Sequence, residues 1–287
     1  MATRSSESLD AAGVKEEQRT TWNEMSANWY SVRQDFERGA GTVTTRLLEL
    51  AGLREGQVVL DVATGPGEPA LSVARIVGDT GKVVGIDISP GMIEIARRRA
   101  AELTNVEFIE ADLESVELPA DHFDVALSRF GLMFAIDHVA TFRALIRLLA
   151  PGGVLAAAVW GPPAKHLMTT GPAALGDRLE LPTPAPGTPG PFSMSDARQL
   201  ADELTEAGFT DVAVVERTVP FRFESVDDYV QFNKRALPPS MVRTARGRLS
   251  DDEIDTIMAD AVAGLVADDG SLPLPSAALL LRAVAPA

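Results

Sequence analysis

The 287-residue sequence contains no cysteine. Disulfides, thiolate nucleophiles and zinc or iron–sulfur sites built on cysteine are therefore excluded. Basic residues are also scarce, because 26 lysines and arginines stand against 41 aspartates and glutamates, a net charge of −15. An acidic surface repels phosphate backbones, so nucleic acid is not expected as a partner.

Long apolar runs are absent as well. No stretch approaches the roughly 18 apolar residues that a membrane-spanning helix needs. The polar segment at residues 1–17 lacks the apolar centre of a signal peptide. The absence of cysteine agrees with a reducing compartment. We therefore expect a cytoplasmic protein with no membrane span.

The sequence does contain alternating strand and helix patterns. Buried apolar runs predict strands at residues 57–62, 82–87, 105–110, 123–128 and 154–160, and helices lie between them. This alternation is typical of a parallel sheet with helices on both faces. Ligands bind such sheets beyond the carboxyl ends of the strands, so functional residues are expected directly after each strand.

The segments outside this core have different patterns. Trp22, Met25 and Trp29 mark one face of a helix at residues 17–36, which packs on the core or forms a lid over a pocket. A separate helix is predicted at 42–50. Eight prolines between residues 162 and 191 predict an irregular connection. Beyond it, the patterns predict a helix at 195–208, strands at 211–223 and 277–284, and helices within 225–265.

These patterns divide the chain into three parts. Residues 1–40 are expected to form an N-terminal arm and lid helices, and residues 41–165 the ligand-binding core. Residues 166–287 would supply the irregular connection and the last helix and strands of the core. A helical cap is expected at about 225–265.

The most informative motif spans residues 61–70. Asp61 ends a strand, and a turn with Gly65 and Gly67 leads into a helix. Glycine lets a ligand approach the backbone closely, and the free N–H groups at the helix start favour electron-rich ligand atoms. Alone, such a turn is also a common tight connection between a strand and a helix.

Two further carboxylates follow the next two strands. Asp87 ends the second strand, where an acidic side chain can accept both hydrogen bonds of a ribose diol. Asp112 follows the third strand and can accept a hydrogen bond from the amine of an adenine. Acids at three successive strand ends favour a ligand that contains adenosine.

The glycine spacing also fits a nicotinamide dinucleotide fingerprint. Asp61 separates the two possibilities, because its carboxylate would repel a pyrophosphate. The same carboxylate would stabilise the cationic amino group and sulfonium of S-adenosylmethionine (SAM). Electrostatics therefore favour SAM, and an NAD-dependent oxidoreductase remains an alternative.

From Trp22 to Trp160 the chain resembles class I SAM-dependent methyltransferases of the ubiquinone/menaquinone-methyltransferase-like group (methyltransferase type 11). The matching motifs are residues 59–67, 84–92, 110–113, 123–125, 128–134 and 149–153. The resemblance implies a Rossmann-like, mostly parallel sheet of seven strands with the last strand antiparallel. We also expect a monomer or homodimer that acts on a small-molecule acceptor.

The resemblance carries over residue by residue. The methionine part of SAM would contact Asp61, Thr64, Gly65 and Gly67. The ribose would contact Asp87, and the adenine would lie near Ile88, Met92, Asp112 and Leu113. Ser128 and Phe130 would border the methyl-donor end.

The acceptor pocket is expected to be apolar and aromatic, and so suited to a hydrophobic or ring-containing molecule. Its predicted residues are Trp22, Tyr30, Phe36, Met133, Phe134, Trp160 and Met168. No catalytic residue is assigned; His166 is the candidate for a base if the acceptor must lose a proton. No acidic or histidine cluster has metal-ligand spacing, so no metal is expected. A SAM-binding protein without methyl transfer, serving as a regulator, scaffold or rearrangement catalyst, remains an alternative.

Overall fold

The computed structural model describes residues 10–185 and 187–287, which form a seven-stranded sheet and ten α-helices. The strands are β1 (Val58–Val62), β2 (Lys82–Asp87), β3 (Val106–Glu110), β4 (Phe123–Arg129), β5 (Leu149–Trp160), β6 (Thr210–Phe223) and β7 (Leu272–Val284). The helices are α1 (Ala11–Ser31), α2 (Arg33–Ala51), α3 (Ala70–Val77), α4 (Pro90–Arg99), α5 (His138–Leu148), α6 (Thr170–Arg178), α7 (Ala197–Ala207), α8 (Val226–Ala236), α9 (Pro239–Arg246) and α10 (Asp251–Val262).

The strand order is β3-β2-β1-β4-β5-β7-β6. Strands β1 to β5 pair in parallel, and β7 runs antiparallel to both β5 and β6. The predicted Rossmann-like fold with an antiparallel last strand is confirmed. Right-handed crossovers put α3 and α4 on one face of the sheet and α5 on the other. The direction of the strand order reverses between β1 and β4, which is where such sheets open a ligand crevice.

The central strands are apolar because both of their faces are covered. Val59 and Leu60 in β1 and Ala126 and Leu127 in β4 are fully buried. Near-continuous apolar runs are expected of parallel strands with helices on both sides. Asp61 is the exception, a carboxylate fully buried in β1. Its cost of burial is the first structural sign of a functional site.

The N-terminal helices differ from the predicted boundaries. Helix α2 runs without a break through Gly39 and Gly41 and so crosses the predicted boundary between residues 40 and 41. Because glycine lowers helix propensity, the sequence pattern predicted two separate helices here. Packing requires Gly39, because a Cβ there would lie 2.4 Å from the ring of Phe221 in β6. The predicted N-terminal arm at residues 1–9 lies outside the described residues.

The proline-rich connection is not irregular throughout, because α6 forms within it. Pro172 stands in the first turn of α6, where a backbone N–H has no partner inside the helix. Leu175 is fully buried, and α6 packs against α10. This apolar contact stabilises a helix that the surrounding prolines concealed in the sequence.

Strand β7 begins five residues before the predicted start at residue 277. Pro273 and Pro275 lie in this extension, opposite Arg222 and Pro220 of β6. Strand β5 pairs only with residues 278–284 of β7. The prolines therefore occupy a part of β7 that does not pair with β5. On the side that would face β5, no backbone N–H is needed for a hydrogen bond between strands.

Helices α8, α9 and α10 confirm that the predicted region at 225–265 is helical. Helix α10 begins with a capping box formed by Ser250 and Glu253. Helices α8 and α9 both contact α1. A cap built from these helices would therefore adjoin the N-terminal helix; its role as a cap remains a prediction.

Candidate functional site

A cleft opens at the carboxyl ends of β1, β2, β3 and β4, and α1 and the start of α2 cover it. Its empty volume, including the open mouth, is about 1040 Å³. Eleven of the predicted site residues line it: Trp22, Phe36, Thr64, Gly65, Asp87, Ile88, Met92, Asp112, Leu113, Phe130 and Phe134. The cleft lies at the reversal in strand order, where the fold places ligands.

Asp61 lies directly beneath this cleft. Its Oδ2 accepts hydrogen bonds from Thr64 Oγ1 (2.6 Å) and from the N–H of Ala70 (3.1 Å). Its Oδ1 is buried and has no hydrogen-bond partner among the described residues. Burial raises the pKa of Asp61 to about 7. A buried carboxylate with one free oxygen is suited to a cationic group.

The two glycines of the turn have different functions. Gly65 has a φ of +53°, and a Cβ there would meet no atom within 4 Å, so the space beside its backbone is open to a ligand. Gly67 does not line the cleft. At φ +107°, a Cβ on Gly67 would lie 3.0 Å from Leu71, so this glycine allows α3 to pack closely.

Asp87 joins the loops after β1 and β2. Its Oδ2 accepts a hydrogen bond from the N–H of Gly65 (2.8 Å), and its Oδ1 accepts one from the N–H of Ser89 (2.9 Å). Burial raises the pKa of Asp87 to about 6. Each oxygen retains acceptor capacity for a further donor, such as a hydroxyl.

Asp112 lies at the rim after β3. Its Oδ1 accepts hydrogen bonds from Lys15 Nζ (2.9 Å) and from the N–H of Glu114 (3.1 Å). Lys15 and Glu114 also form an ion pair, and both line the cleft. The sequence did not indicate Lys15, because a single lysine in a polar helix has no distinguishing pattern.

The loops after β1 and β4 meet in strained conformations. Ala63 has a φ of 54° and Phe130 a φ of 62°, values that cost a non-glycine residue roughly 1–3 kcal/mol. A Cβ on Gly131 would lie 2.4 Å from the Cβ of Ala63. Strained residues cluster at binding sites, and both of these line the cleft.

Ser128 does not border the cleft as expected. It is fully buried, and its Oγ donates a hydrogen bond to the carbonyl of Val62 (2.9 Å). The side chain therefore joins β4 to β1 beneath the cleft floor. Arg129, the next residue, does line the cleft and forms a bidentate ion pair with Glu37 of α2 (2.7 and 2.5 Å).

Aromatic rings form one wall of the cleft. They belong to Trp22, Trp29, Phe36, Phe130 and Phe134. The ring centroids of Trp22 and Phe134 are 5.3 Å apart, and those of Trp29 and Phe36 are 5.2 Å apart. Offset and edge-to-face contacts at these distances hold the rings in fixed orientations.

Several predicted pocket residues lie elsewhere. Trp160 stacks on Phe130 with centroids 3.7 Å apart and does not line the cleft. The guanidinium of Arg33 lies 3.9 Å from the ring of Tyr30, outside the cleft. Met133 and Met168 are buried in the core. Apolar residues near strand ends serve both pocket and core, and the sequence alone does not separate them.

His166 is also outside the cleft. Its ring packs edge-on against Trp160 with centroids 4.4 Å apart, and neither ring nitrogen has a hydrogen-bond partner among the described residues. Burial lowers the pKa of His166 to about 4. The structure therefore gives the predicted base no path to a ligand in the cleft.

The described residues of the cleft lining include no histidine and no tyrosine. Lys15, Asp112 and Glu114 are paired with one another, and Arg129 is paired with Glu37. Residues 10–185 and 187–287 contain no group of three or more acidic or histidine side chains able to hold a metal ion. They also contain no helix long and apolar enough to cross a membrane. The cleft is thus equipped to bind and orient ligands.

Comparisons with known proteins agree with this geometry. Residues 59–153 match the family model described as a methyltransferase domain. The ubiquinone/menaquinone biosynthesis C-methyltransferase UbiE of Pseudomonas putida is 38% identical over 125 residues, which cover 42% of this chain and 49% of that protein. The chain therefore spans about half the length of the curated relatives it matches. UbiE of Pseudomonas syringae gives the same figures.

Solved structures share the fold. Phosphoethanolamine N-methyltransferase 2 of Haemonchus contortus superposes with a TM-score of 0.62 at 18% identity, covering 96% of this chain and 61% of that chain. The [4+2]-cyclase SpnF superposes with a TM-score of 0.55 at 20% identity, covering 93% and 98%. The predicted resemblance is confirmed over residues 59–153, which match a methyltransferase domain, and the curated relatives that share this part of the chain are UbiE C-methyltransferases.

Proposed function

We propose that the whole chain is a SAM-dependent methyltransferase that acts on a small hydrophobic or aromatic acceptor. The observation that carries this proposal is the arrangement of the cleft. Asp61, Asp87 and Asp112 lie along one edge of the sheet, and an aromatic wall faces them. Carboxylates suit the polar parts of SAM, and the aromatic wall suits an apolar acceptor.

The proposed cofactor suits residues that have a free hydrogen-bond acceptor or open space beside them. The free Oδ1 of Asp61 would face the cationic amino group, and the open space at Gly65 would accept the methionine part. Asp87 would accept the ribose hydroxyls, and Asp112 the adenine amine. When bound, SAM supplies a methyl group already activated by a sulfonium leaving group. The chain therefore needs to supply orientation more than chemical activation.

The residues of the cleft are built for orientation. The strained backbone at Phe130 and its stacking on Trp160 fix the ring at the end of β4. Helix α1 carries Trp22 and Trp29 over the cleft and excludes water from it. Proximity and alignment alone are worth about 7–11 kcal/mol in favourable reactions. An acceptor whose nucleophilic atom needs no protein base is consistent with a lining that lacks histidine and tyrosine.

An NAD-dependent oxidoreductase is disfavoured. Asp61 is fully buried beneath the turn that would hold a pyrophosphate, and its Thr64 and Ala70 partners hold the carboxylate in place. A negatively charged group beside a buried carboxylate would be repelled strongly because the local dielectric is low.

The test is a thermal shift with SAM, S-adenosylhomocysteine (SAH) or NAD(H). A ligand at about 100 times its dissociation constant stabilises a protein by about 2.7 kcal/mol. The shift should occur with SAM and SAH, disappear in Asp87→Ala, and persist in the control Asp79→Ala. Asp79 is an exposed acid in the turn before β2, at the opposite edge of the sheet.

A shift with NAD(H) alone would contradict the proposal. Turnover is then measured by SAH release from SAM with hydrophobic phenols and other ring compounds as acceptors. SAM binding without turnover of any acceptor would favour the non-methylating alternative.

A further inference from the structure

Three polar residues on one face of α1 contact the adenine side of the cleft. Lys15, Arg19 and Asn23 are spaced four residues apart, so they form one stripe along the helix. Lys15 contacts Asp112 and Glu114 after β3. Arg19 pairs with Glu110, the last residue of β3, and Asn23 Oδ1 accepts a hydrogen bond from the N–H of Gly91 (2.9 Å).

Lys15 is the most enclosed charge of this stripe. Its side chain is 21% exposed, and those of Asp112 and Glu114 are 18% and 19% exposed. Glu114 also accepts hydrogen bonds from the N–H groups of Ile136 and Asp137 (3.2 Å each). Lys15 therefore connects α1 to the loop after β3 and, through Glu114, to the loop after β4.

The N-terminal half of α1 has little apolar packing, whereas Trp22 and Trp29 further along the helix contact the rings of Phe134 and Phe36. Among its 21 residues, only Met25 and Ser26 are buried. The buried residue Val32 lies between the end of α1 and the start of the separate helix α2. The N-terminal half of α1 therefore depends for its position over the cleft on polar contacts, which are the polar stripe and the hydrogen bond that Gln18 Nε2 donates to the carbonyl of Phe134 (2.9 Å).

The ionic side chains at the rim carry one more negative charge than positive charge. Lys15 and Arg19 supply two positive charges against the three carboxylates Glu110, Asp112 and Glu114. The remaining negative charge suits a neutral donor such as the amine of adenine. Without Lys15, Asp112 and Glu114 would repel each other, and Asp112 would lose its fixed orientation.

We propose that Lys15 is a positioning residue for the cofactor, which acts through Asp112 and closes α1 over the adenine end of the cleft. This inference rests on the proposed function, because it assumes that the adenine of SAM lies beside Asp112. It follows that the lifetime of the bound cofactor depends on the ion pair of Lys15, and that salt shortens this lifetime only modestly because the pair is largely enclosed.

The test measures the rate of SAH release by stopped-flow tryptophan fluorescence, because Trp22 and Trp29 line the cleft. Lys15→Met should release SAH about ten times faster than the wild type at low salt. Lys15→Arg retains the charge and should stay within about twofold of the wild type. Salt should accelerate release from the wild type slightly more than from Lys15→Met, because the enclosed ion pair is screened only in part.

Arg243→Met is the matched control. It removes another ion pair of α1, between Glu24 and Arg243 of α9 (3.0 Å), which lies away from the adenine side. This variant should release SAH at the wild-type rate. Equal acceleration in Arg243→Met and Lys15→Met would overturn the inference, because any tether of α1 would then suffice.

A second measurement examines the nucleobase. S-inosylhomocysteine carries an oxygen in place of the adenine amine, and Asp112 disfavours that oxygen. The preference for SAH should be smaller in Lys15→Met than in the wild type, and an unchanged preference would contradict a role through Asp112. If the wild type does not bind SAH, the proposed function itself fails. If it binds SAH but Lys15→Met releases it no faster, only this inference fails.

Discussion

Asp61 and Asp87 are carboxyl groups in places that water barely reaches. Burial raises the pKa of Asp61 to about 7 and that of Asp87 to about 6. Both groups are thus partly protonated near neutral pH in the ligand-free protein. A ligand that binds only the ionised carboxylates must displace their protons, so its affinity depends on pH.

The affinity for SAH should therefore rise with pH. With a pKa of about 7, roughly one tenth of Asp61 is ionised at pH 6 and roughly nine tenths at pH 8. We expect the dissociation constant measured by calorimetry to fall about tenfold between these pH values. In Asp61→Asn binding should be weak and far less dependent on pH, and a wild-type affinity that is flat over this range would contradict the role of Asp61.

Folding stability should show the opposite dependence on pH. A carboxyl group whose folded pKa is raised favours folding when protonated, so its contribution is present below pH 3.8 and is lost as pH rises through about 7. The unfolding free energy of ligand-free Asp61→Asn, relative to wild type, should increase from pH 5 to pH 8. Chemical denaturation at the two pH values measures it, and a constant difference would show that Asp61 titrates normally.

Among individual site residues, the sequence predicted those that stand in an unusual local pattern. Acids inside apolar strand ends are rare, so Asp61 and Asp87 were identifiable without a structure. Lys15 and Arg129 were not, because their partners lie 97 and 92 residues away. His166 was misjudged for a related reason: its distance from a strand end is short, but the ring packs behind Trp160.

The sequence predicted the helices and strands that are determined by apolar periodicity. It missed those that form because of tertiary packing. All seven strands were anticipated: parallel strands buried on both faces are nearly continuous apolar runs, and β6 has the apolar alternation of a strand buried on one face. Helix α6 and the first five residues of β7 were missed, because their prolines are tolerated only at positions that tertiary contacts define. The glycines of α2 concealed a continuous helix in the same way.

Gly39 and Gly41 provide a matched test of that packing. Gly39→Ala should destabilise the protein by roughly 1–3 kcal/mol, because its Cβ would overlap the ring of Phe221. Gly41→Ala meets no atom within 4 Å and should stabilise it by about 0.5–1 kcal/mol through helix propensity. Chemical denaturation of both variants measures the effects, and two stabilised proteins would show that α2 and β6 separate easily.

The whole molecule depends on β7, which joins two parts of the sheet. Strand β7 pairs with β5 on one side and with β6 on the other. Its residues Leu279, Leu280 and Leu281 are buried among the helices that cover the sheet. Without β7, β6 has no strand to pair with.

Removal of β7 should therefore abolish folding, although the predicted cofactor residues all precede it. A chain that stops at residue 271 should aggregate or lose its near-ultraviolet circular dichroism and its response to SAH. A chain that stops at residue 285 retains β7 and should behave as the full chain. A soluble, SAH-responsive protein without β7 would show that the first five strands fold alone.

The position of β7 in the sequence also determines when the strands can pair during synthesis. The ribosome completes β6 about sixty residues before it completes β7, and β5 much earlier. At about 5–20 residues per second, β6 waits roughly 3–12 s for a partner. During that interval the nascent chain presents the open edge of β5 and the unpaired β6, which are templates for intermolecular pairing. Slower translation between residues 224 and 271 should therefore lengthen the time during which the chain needs a chaperone.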